Sequence, residues 1–388
     1  MSKLQELIQK LCPDRVEYSS LGKYIDIYTG IQFNKKDMSE VGTYPVLNGG
    51  VNPSGFTEKF NEQENTITIS QGGASAGYVN WMKCKFWAGA HCFIVKPNIN
   101  ILNNRYLYFL LKNSEQRLMQ SKHGAGIPGL NRDKIRNLII PIPPLAVQEE
   151  IARILDHFTN IAAELQAELQ ARKKQYEYYR NRLFDLKTEI GIYKLSDICT
   201  VIGDGLHGTP NYKENGNYFF INGNNLIRGK ITLSNQTKRI CYEEFCKYSF
   251  KFNSNTVFLS INGTIGNVAL YNNEQIALGK SVAYFVVNPL FLNVKFLYHY
   301  FQSKHARIYF ESNSTGSTIK NLGLKALRNM VISVPSLAEQ ERIVSILDKF
   351  ETLVNNLSQG LPAEIAAVQE QYEYYRNKLL SFQKIKEV

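Results

Sequence analysis

The chain has 388 residues, 44% hydrophobic and 20% charged, enough material for two or three domains with true cores. Lys plus Arg outnumber Asp plus Glu by 45 to 34, a formal net charge of +11 that favours a polyanionic partner, nucleic acid first and an acidic membrane surface second. No apolar run approaches the roughly 20 residues that span a bilayer. The start MSKLQELIQK lacks a signal-peptide core, and Cys12, Cys84, Cys92, Cys199, Cys241 and Cys246 form no CxxC pair, so a cytoplasmic protein with reduced thiols and no membrane partner is expected.

In chain order, a short Leu4, Leu7, Ile8, Leu11 stripe predicts an amphipathic helix. Tyr24–Tyr28, Asn65–Ser70, Tyr78–Trp81 and Cys92–Val95 predict strands among turn signals such as Asn48-Gly49-Gly50. A helix fits Asn104–Gln120, followed by the glycine-rich turn His123–Gly129 and a strand ending in prolines, Leu138–Pro144. Residues 15–144 therefore read as one compact α+β domain.

The second half repeats this order. Thr256–Ser260 leads into Gly263-Thr264-Ile265-Gly266 as Ile67–Ser70 leads into Gly72-Gly73 and Gly77. Across 143–158 and 335–350, 10 of 16 positions are identical at an offset of 192. Gln175–Leu183 (QYEYYRNRL) recurs as Gln371–Leu379 (QYEYYRNKL), differing only at Arg182 and Lys378. Such internal repetition governs the fold, and here it means two copies of one unit, each closing on the same helix. The globular parts agree much less, above all in their polar residues.

Apolar residues at 151, 154, 158, 161, 165, 169, 176, 179 and 183 form a heptad-like stripe with Arg172 at one step. The second helix has the same series from Ile343 to Leu379 with one extra step of four. Four residues are close to one turn, so the insertion keeps the face, while Gly360 and Pro362 within it predict a kink or restart. Ser336 with Glu339 has the pattern of a capping box. Helices of about 40 residues run to roughly 60 Å, too long to be covered by small domains, so each stripe is expected to pack on the other in an antiparallel pair. This places Tyr176, Tyr179 and Leu183 on the packed face, and Tyr178, Arg180, Arg182 with Tyr374, Arg376, Lys378 outward, as a repeated surface for docking partners.

No catalytic centre emerges. Asn288-Pro289-Leu290-Phe291 misses the second proline of an [ND]PP[FY] methyltransferase motif, and no GxxxxGK[ST] or GxGxxG loop is present. Pro13-Asp14 with Glu17 lacks the lysine of a nuclease carboxylate set, and the six histidines have no HExxH, H-x-E or paired cysteine ligands, so no metal site is expected. What remains suits recognition. Lys35, Lys36, Ser70, Gln71, Lys122, His123 and Arg132 in the first half, and Lys213, Asn222, Asn224, Lys238, Arg239, Asn262, Thr264, Lys280, Asn313 and Lys320 in the second, are candidate DNA contacts. Asn and Gln can pair bidentately with adenine, Arg and Lys with guanine, and Lys with phosphate.

The segment Asn137–Ile151, with Pro143-Pro144-Leu145 followed by Gln148 and Ile151, resembles the strand–PPL–xxQxxI entry into the conserved helix of type I restriction-modification specificity (S) subunits. Arg328–Ile343 repeats it with Pro-Ser for Pro-Pro, and Ser260–Gly266 is similar to the family's S-x-x-G-T-I-G loop, which Ser70–Gly77 echoes. The resemblance spans essentially the whole chain. It implies an α+β protein with two similar α/β target recognition domains, 1–144 and 189–335, joined and spaced by two long antiparallel coiled-coil helices, 145–188 and 336–388, in a pseudo-two-fold internal repeat. It further implies a chain that is not itself an enzyme and binds no cofactor. It would read a bipartite site in double-stranded DNA, dock two methyltransferase (M) subunits carrying S-adenosylmethionine, and admit restriction (R) subunits using ATP and Mg. A coiled-coil adaptor without DNA recognition, and an S subunit of a type IIB-like system, are the alternatives; the adaptor leaves the two loop-rich basic modules unexplained.

Overall fold

The computed structural model describes residues 3–13, 15–121, 129–185, 190–248, 252–356 and 359–383. They form two compact units, one of Met1–Glu164 with Ile365–Val388 and one of Leu165–Glu364. Each unit therefore contains one β-rich module, one half of the long helix Leu145–Phe184, and one of the two helices Leu337–Asn355 and Leu361–Leu379.

In the first unit, the strands Ile25–Thr29, Cys92–Pro97, Thr66–Ser70 and Val79–Met82 lie in that order in one antiparallel sheet. The Thr-Ile-Thr-Ile-Ser strand is buried at all five positions because both faces of the sheet are covered. On one face, helix Asn104–Asn113 contributes Tyr106, Leu107, Phe109, Leu110 and Leu111 to a core with Ile67, Ile69, Phe93 and Val95. On the other lie Leu47 and Ala88 of a smaller sheet, Gly55–Thr57, Tyr44–Leu47 and Trp87–Ala88, with Phe86 just before its last strand. The helix expected over Asn104–Gln120 breaks at Ser114. There Glu115 accepts from the Val79 amide (2.8 Å) and from Lys112 (2.6 Å), tying the chain down to the neighbouring strand.

The second unit has the same topology. Cys199–Asp204, Val282–Val287, Thr256–Ser260 and Val268–Leu270 form the larger sheet, and Arg239–Ile240, Tyr218–Ile221 and Ile276–Leu278 the smaller. In both small sheets the central strand pairs one neighbour antiparallel and the other parallel. This duplicated α+β architecture agrees with the expectation from the repeated order of elements.

Each module is fastened to its long helix by one buried glutamine. Gln148 accepts from the Asn103 amide (2.8 Å) and donates to the carbonyls of Ile101 (2.9 Å) and Pro143 (2.7 Å). Gln340 repeats this with the Asn293 amide (2.7 Å) and the carbonyls of Phe291 and Pro335 (2.9 Å each). Asn103 and Asn293 in turn cap the helices Asn104–Asn113 and Val294–Phe301 with their side chains. Both glutamines are fully buried.

The second helical stretch does restart: Leu337–Asn355 ends, and Leu361–Leu379 begins after Gly360. Gly360 has φ +85°, and a Cβ there would lie 2.7 Å from the carbonyl oxygens of Thr352 and Leu353, so only glycine fits the break. The capping box at Ser336 is half formed. Its hydroxyl accepts from the Glu339 amide, but the Glu339 carboxylate turns to Arg342 with two bonds of 2.7 Å.

Replacing Gln148 with Ala leaves one amide and two carbonyls unpaired inside the first unit. At roughly 1–3 kcal/mol per orphaned group, an unfolding free energy lower by about 3 kcal/mol is expected, checked by urea denaturation. An unchanged midpoint would show that the clamp is dispensable. A second expectation concerns pH. Glu150 is nearly buried and paired with Arg153 (2.7 Å) and Lys3 (3.0 Å); the Arg153 hydrogen bonds outweigh the opposing effect of burial and, with Lys3, hold its pKa down at about 2. A carboxyl depressed on folding gives stability that is complete above its unfolded value of about 4.5 and is lost as pH falls towards about 2. Melting of Glu150→Gln should therefore fall less steeply than wild type over that window.

Candidate nucleic-acid interface

In the second unit one end of the larger sheet gathers four loops. Strand Thr256–Ser260 runs into Ile261–Asn267, where Gly263 (φ +74°) and Gly266 (φ +99°) need glycine to turn. Ser260 closes this loop: its hydroxyl accepts from the Asn267 amide (2.8 Å). The loop is bound to the hairpin of Ser314–Thr315 and Asn321–Leu322 by Leu322 N–H to Ile261 O (2.8 Å) and Gly263 N–H to Lys320 O (2.9 Å). A cavity of about 480 Å³ beside it is lined by Asp204, His207, Asn262, Lys280 and Asn321. Another of about 430 Å³ is lined by Gly263, Gly266, Arg307, Glu311 and Lys320.

Of the predicted contacts, Asn262, Thr264, Lys280 and Lys320 thus come together at this sheet end. Asn222 reaches it through Ser281, whose hydroxyl it accepts at 3.0 Å. Asn224 is exposed on the turn Gly223–Asn225, and Asn313 ends helix Lys304–Asn313 with its amide on Tyr309 O. Lys213, Lys238 and Arg239 form a separate group on the smaller sheet. The Lys213 amide donates to Arg239 O, Lys238 lies over Tyr212 (5.7 Å), and Arg239 lies over Phe219 (4.8 Å).

The first unit builds the equivalent loop with different side chains. Leu130 N–H donates to Gln71 O (2.7 Å) as Leu322 does to Ile261, and Gly72 bridges Gly129 as Asn262 bridges Asn321. Among the described residues a Cβ on Gly72 would meet nothing within 4 Å, and its φ is not positive, so neither their packing nor the backbone conformation demands glycine. Arg132 leans over Phe93 (5.8 Å), and Lys35 and Lys36 are exposed on the turn Lys35–Asp37. Lys122 and His123 lie outside the described residues. Ser70 corrects the expectation of a DNA-facing hydroxyl: it is buried and donates to Gly49 O, so it holds the loop instead.

Two features escaped the sequence. Leu47-Asn48-Gly49 and Ile221-Asn222-Gly223 are a second repeat, each asparagine oxygen lying where a Cβ on a facing glycine, Gly89 or Gly279, would come within 2.4 or 2.2 Å of it. His91, exposed at the turn before Cys92, offers its carbonyl to Gln71 (2.9 Å) and sits where Ser281 sits in the other unit. The signal was there, in the shared Asn-Gly pair, but it is only two residues long.

The repeated tyrosine phrase divides by depth. In the second unit Tyr176 stacks on Phe350 (6.1 Å) and meets His299 Nδ1 at 3.3 Å, while His299 Nε2 and Lys295 hold the two oxygens of Asp348 at 2.9 and 2.6 Å. Burial alone would raise the Asp348 carboxyl; the hydrogen bonds from His299 and Lys295 outweigh it and lower its pKa. Burial, helped by Glu351, pushes the Tyr298 hydroxyl up, so that it stays protonated and donates to that carboxylate. His299, Asp348 and Glu351 are the group with metal-ligand spacing among the described residues, yet each is already hydrogen-bonded within the chain. In the first unit Arg105 pairs with Asp156 (2.6 Å) and stacks on Trp81 (4.5 Å), and Phe158 stacks on Tyr375 (5.3 Å).

Arg180 is the main correction. Expected outward, it is 6% exposed and lies over the Tyr176 ring at 4.9 Å; Arg376 is half-buried over Tyr372 at 5.4 Å. A continuous helix at 3.6 residues per turn puts Tyr176, Arg180 and Phe184 on one face, and a planar guanidinium on a long stem packs on a ring as an apolar residue would. Tyr179, counted with the packed face, is 40% exposed, although its ring still stacks on Phe350 (5.6 Å). The remaining residues do face out. Tyr178 is 56% exposed and bonds Arg182 (2.8 Å); Tyr374 is 59% exposed with Lys378 over its ring (5.6 Å).

Residues 13–172 and 188–367 match the family model described as the type I restriction modification DNA specificity domain. The chain belongs to the type I restriction-modification specificity subunits. It is 31% identical to a putative type I restriction enzyme specificity subunit of Haemophilus influenzae, covering 98% of this chain and all of the relative. It is 30% identical to the EcoR124I/EcoR124II specificity subunit of Escherichia coli, covering 99% and 98%. The fold is similar to the type I S subunit from M. genitalium (TM-score 0.61, 19% identity, 94% of this chain and 96% of that one). A specificity subunit recognises the DNA target within its complex and is itself non-catalytic. No described helix is long and apolar enough to cross a membrane.

Because a Cβ on Gly72 would meet no described residue within 4 Å, Gly72→Val should leave the melting temperature within about 1 °C of wild type, as expected for a surface change with no clash. It should weaken DNA binding at least about tenfold if backbone approaches the duplex there. Equal affinity in a gel-shift titration would remove this loop from the interface.

Proposed function

We propose that each module reads one half of a split, asymmetric site in double-stranded DNA. The reading surface would be the loops at the end of the larger sheet: Gln71, Arg132 and the Gly72 loop in one unit, Asn262, Thr264, Lys280 and Lys320 in the other. The observation that carries this is a scaffold held in common while the side chains on it differ. Gln71, Gly72 and His91 stand where Ile261, Asn262 and Ser281 stand, on loops with matching backbone hydrogen bonds. The surface kept in both copies is the opposite case. Tyr178, Tyr179 and Arg182, with Tyr374, Tyr375 and Lys378, suit two identical partners, the M subunits, on which S-adenosylmethionine would bind. Restriction subunits using ATP and Mg would complete the assembly. The long helices would set the unread gap between half-sites, and the extra turn around Gly360 contributes to its length.

The test is co-expression with a methyltransferase subunit of a type I system and mapping of methylated adenines. A bipartite motif, absent without this chain, is expected. Exchanging the Ile261–Asn267 loop should alter one half of the motif only, and deleting residues 357–360 should shorten the gap. A contiguous motif, or a gap unmoved by the deletion, would overturn the corresponding part of the reading.

A further inference from the structure

The hairpin bound to the glycine loop of the second unit carries an apolar residue at its tip. Ser314–Thr315 pair with Asn321–Leu322, and the Thr315 hydroxyl adds a bond to Asn321 O (3.3 Å). The tip, Gly316–Lys320, turns on Gly316 at φ +95°, where a Cβ would lie 2.3 Å from Ile319 O, so the turn is closed and glycine is required. Its base is fixed to the sheet by the Ile261 and Gly263 hydrogen bonds described above. The tip is therefore held on both sides and presents Ile319 at 63% exposure between Thr318 and Lys320, which are also exposed.

A single exposed isoleucine is ordinary on a protein surface. Three further observations set this one apart. Its neighbours are hydroxyl and amine groups, with Lys320 and Arg307 lining the adjoining cavity and Glu311 the acidic residue there. The loop beneath it leaves open space, since a Cβ at Gly263 would meet none of the described residues within 4 Å. The register also repeats: Leu130 and Gly129 make the bonds that Leu322 and Asn321 make, and two residues before Gly129 the sequence again has isoleucine, Ile127, among residues that otherwise differ. Loop chemistry diverges between the units and this apolar residue does not.

We propose that Ile319 is a wedge that enters between two stacked bases of the half-site read by the second unit. This inference rests on the DNA-reading assignment above. An apolar side chain on a stiff support, flanked by cations that hold the phosphates, can part a base step and kink the duplex, with selectivity from how readily that step unstacks. Lys320 and Arg307 would hold the backbone on either side, and Thr318 would remain free for a base edge.

The experiment uses the complex with methyltransferase subunits and duplexes carrying the motif found by methylation mapping, with binding followed by fluorescence anisotropy. Ile319→Ala should lower affinity about tenfold, and Ile319→Leu should retain it. A set of duplexes with a single mismatch moved along the half-site should contain one on which Ile319→Ala regains wild-type affinity, because the step is already unstacked. Wild-type affinity of Ile319→Ala on the intact duplex would overturn the wedge. So would a loss that persists on every mismatched duplex, or a defect in subunit assembly without DNA. If the wild-type complex does not prefer the motif duplex to an unrelated one, the DNA-reading assignment itself fails, which is a separate outcome.

Discussion

The buried glutamine at the root of each long helix is the contact on which the rest depends. Gln148 and Gln340 each hold three backbone groups belonging to two different segments: the turn that starts the module's helix and the proline strand that starts the long helix. A primary amide is the side chain that can accept one bond and donate two in this space; a glutamate would set a carboxylate against two carbonyls, and an aliphatic residue would leave all three unpaired. The direction of the long helix is thereby fixed relative to the sheet of its own module. The proline–leucine entry motif acquires its meaning from this glutamine, three residues after the leucine in both copies.

From that root the helix carries the tyrosine phrase, and the phrase belongs to a unit other than the one its chain order suggests. Gln175–Leu183 packs with the second module, whereas Gln371–Leu379 falls in the first unit, with Tyr372, Leu379 and Leu380 against the first core. Each knot uses homologous positions with altered chemistry: Arg105 and Asp156 in one, Lys295 and Asp348 in the other, with Phe109 where the second has His299. Arginine can stack on Trp81 and pair with a carboxylate at once, so the first knot needs no histidine. The second, with the point charge of Lys295, adds His299 as a bridge to Tyr176.

Much of the architecture was legible because repetition and periodicity act over many residues. The two modules, the strands Ile25–Thr29 and Thr66–Ser70, the long helix and the break at Gly360 all follow from such signals. The side on which Arg180 lies did not, because an apolarity count treats arginine as polar and cannot see its stem and plane used as packing surface. Tyr179 went wrong for the complementary reason: a heptad count assigns a face at 3.5 residues per turn, and a helix at 3.6 drifts from it over five turns. The site was less legible still. Ser70 reads as a recognition hydroxyl from its loop, and only its burial and its hydrogen bond to Gly49 O show that the loop consumes it. The Asn48 and Asn222 pair is two residues in a segment of different length in each half, below what repetition can announce.

The division between conserved and divergent groups has a mechanical cause. The bonds that match between the two glycine loops are backbone bonds, from Leu130 and Leu322 to Gln71 and Ile261. Backbone bonds place no condition on side-chain identity, so a loop held this way can exchange every outward group and keep its position. The residues that cannot be exchanged are those whose side chains are spent internally, Ser70 and Ser260, Asn222, Gln148 and Gln340. A specificity subunit needs this separation: altered bases must be readable without moving the frame that sets where the reading happens. The glycine turns are its limiting case, positions at which the frame supplies no side chain at all and the approach of a partner is restricted by backbone alone.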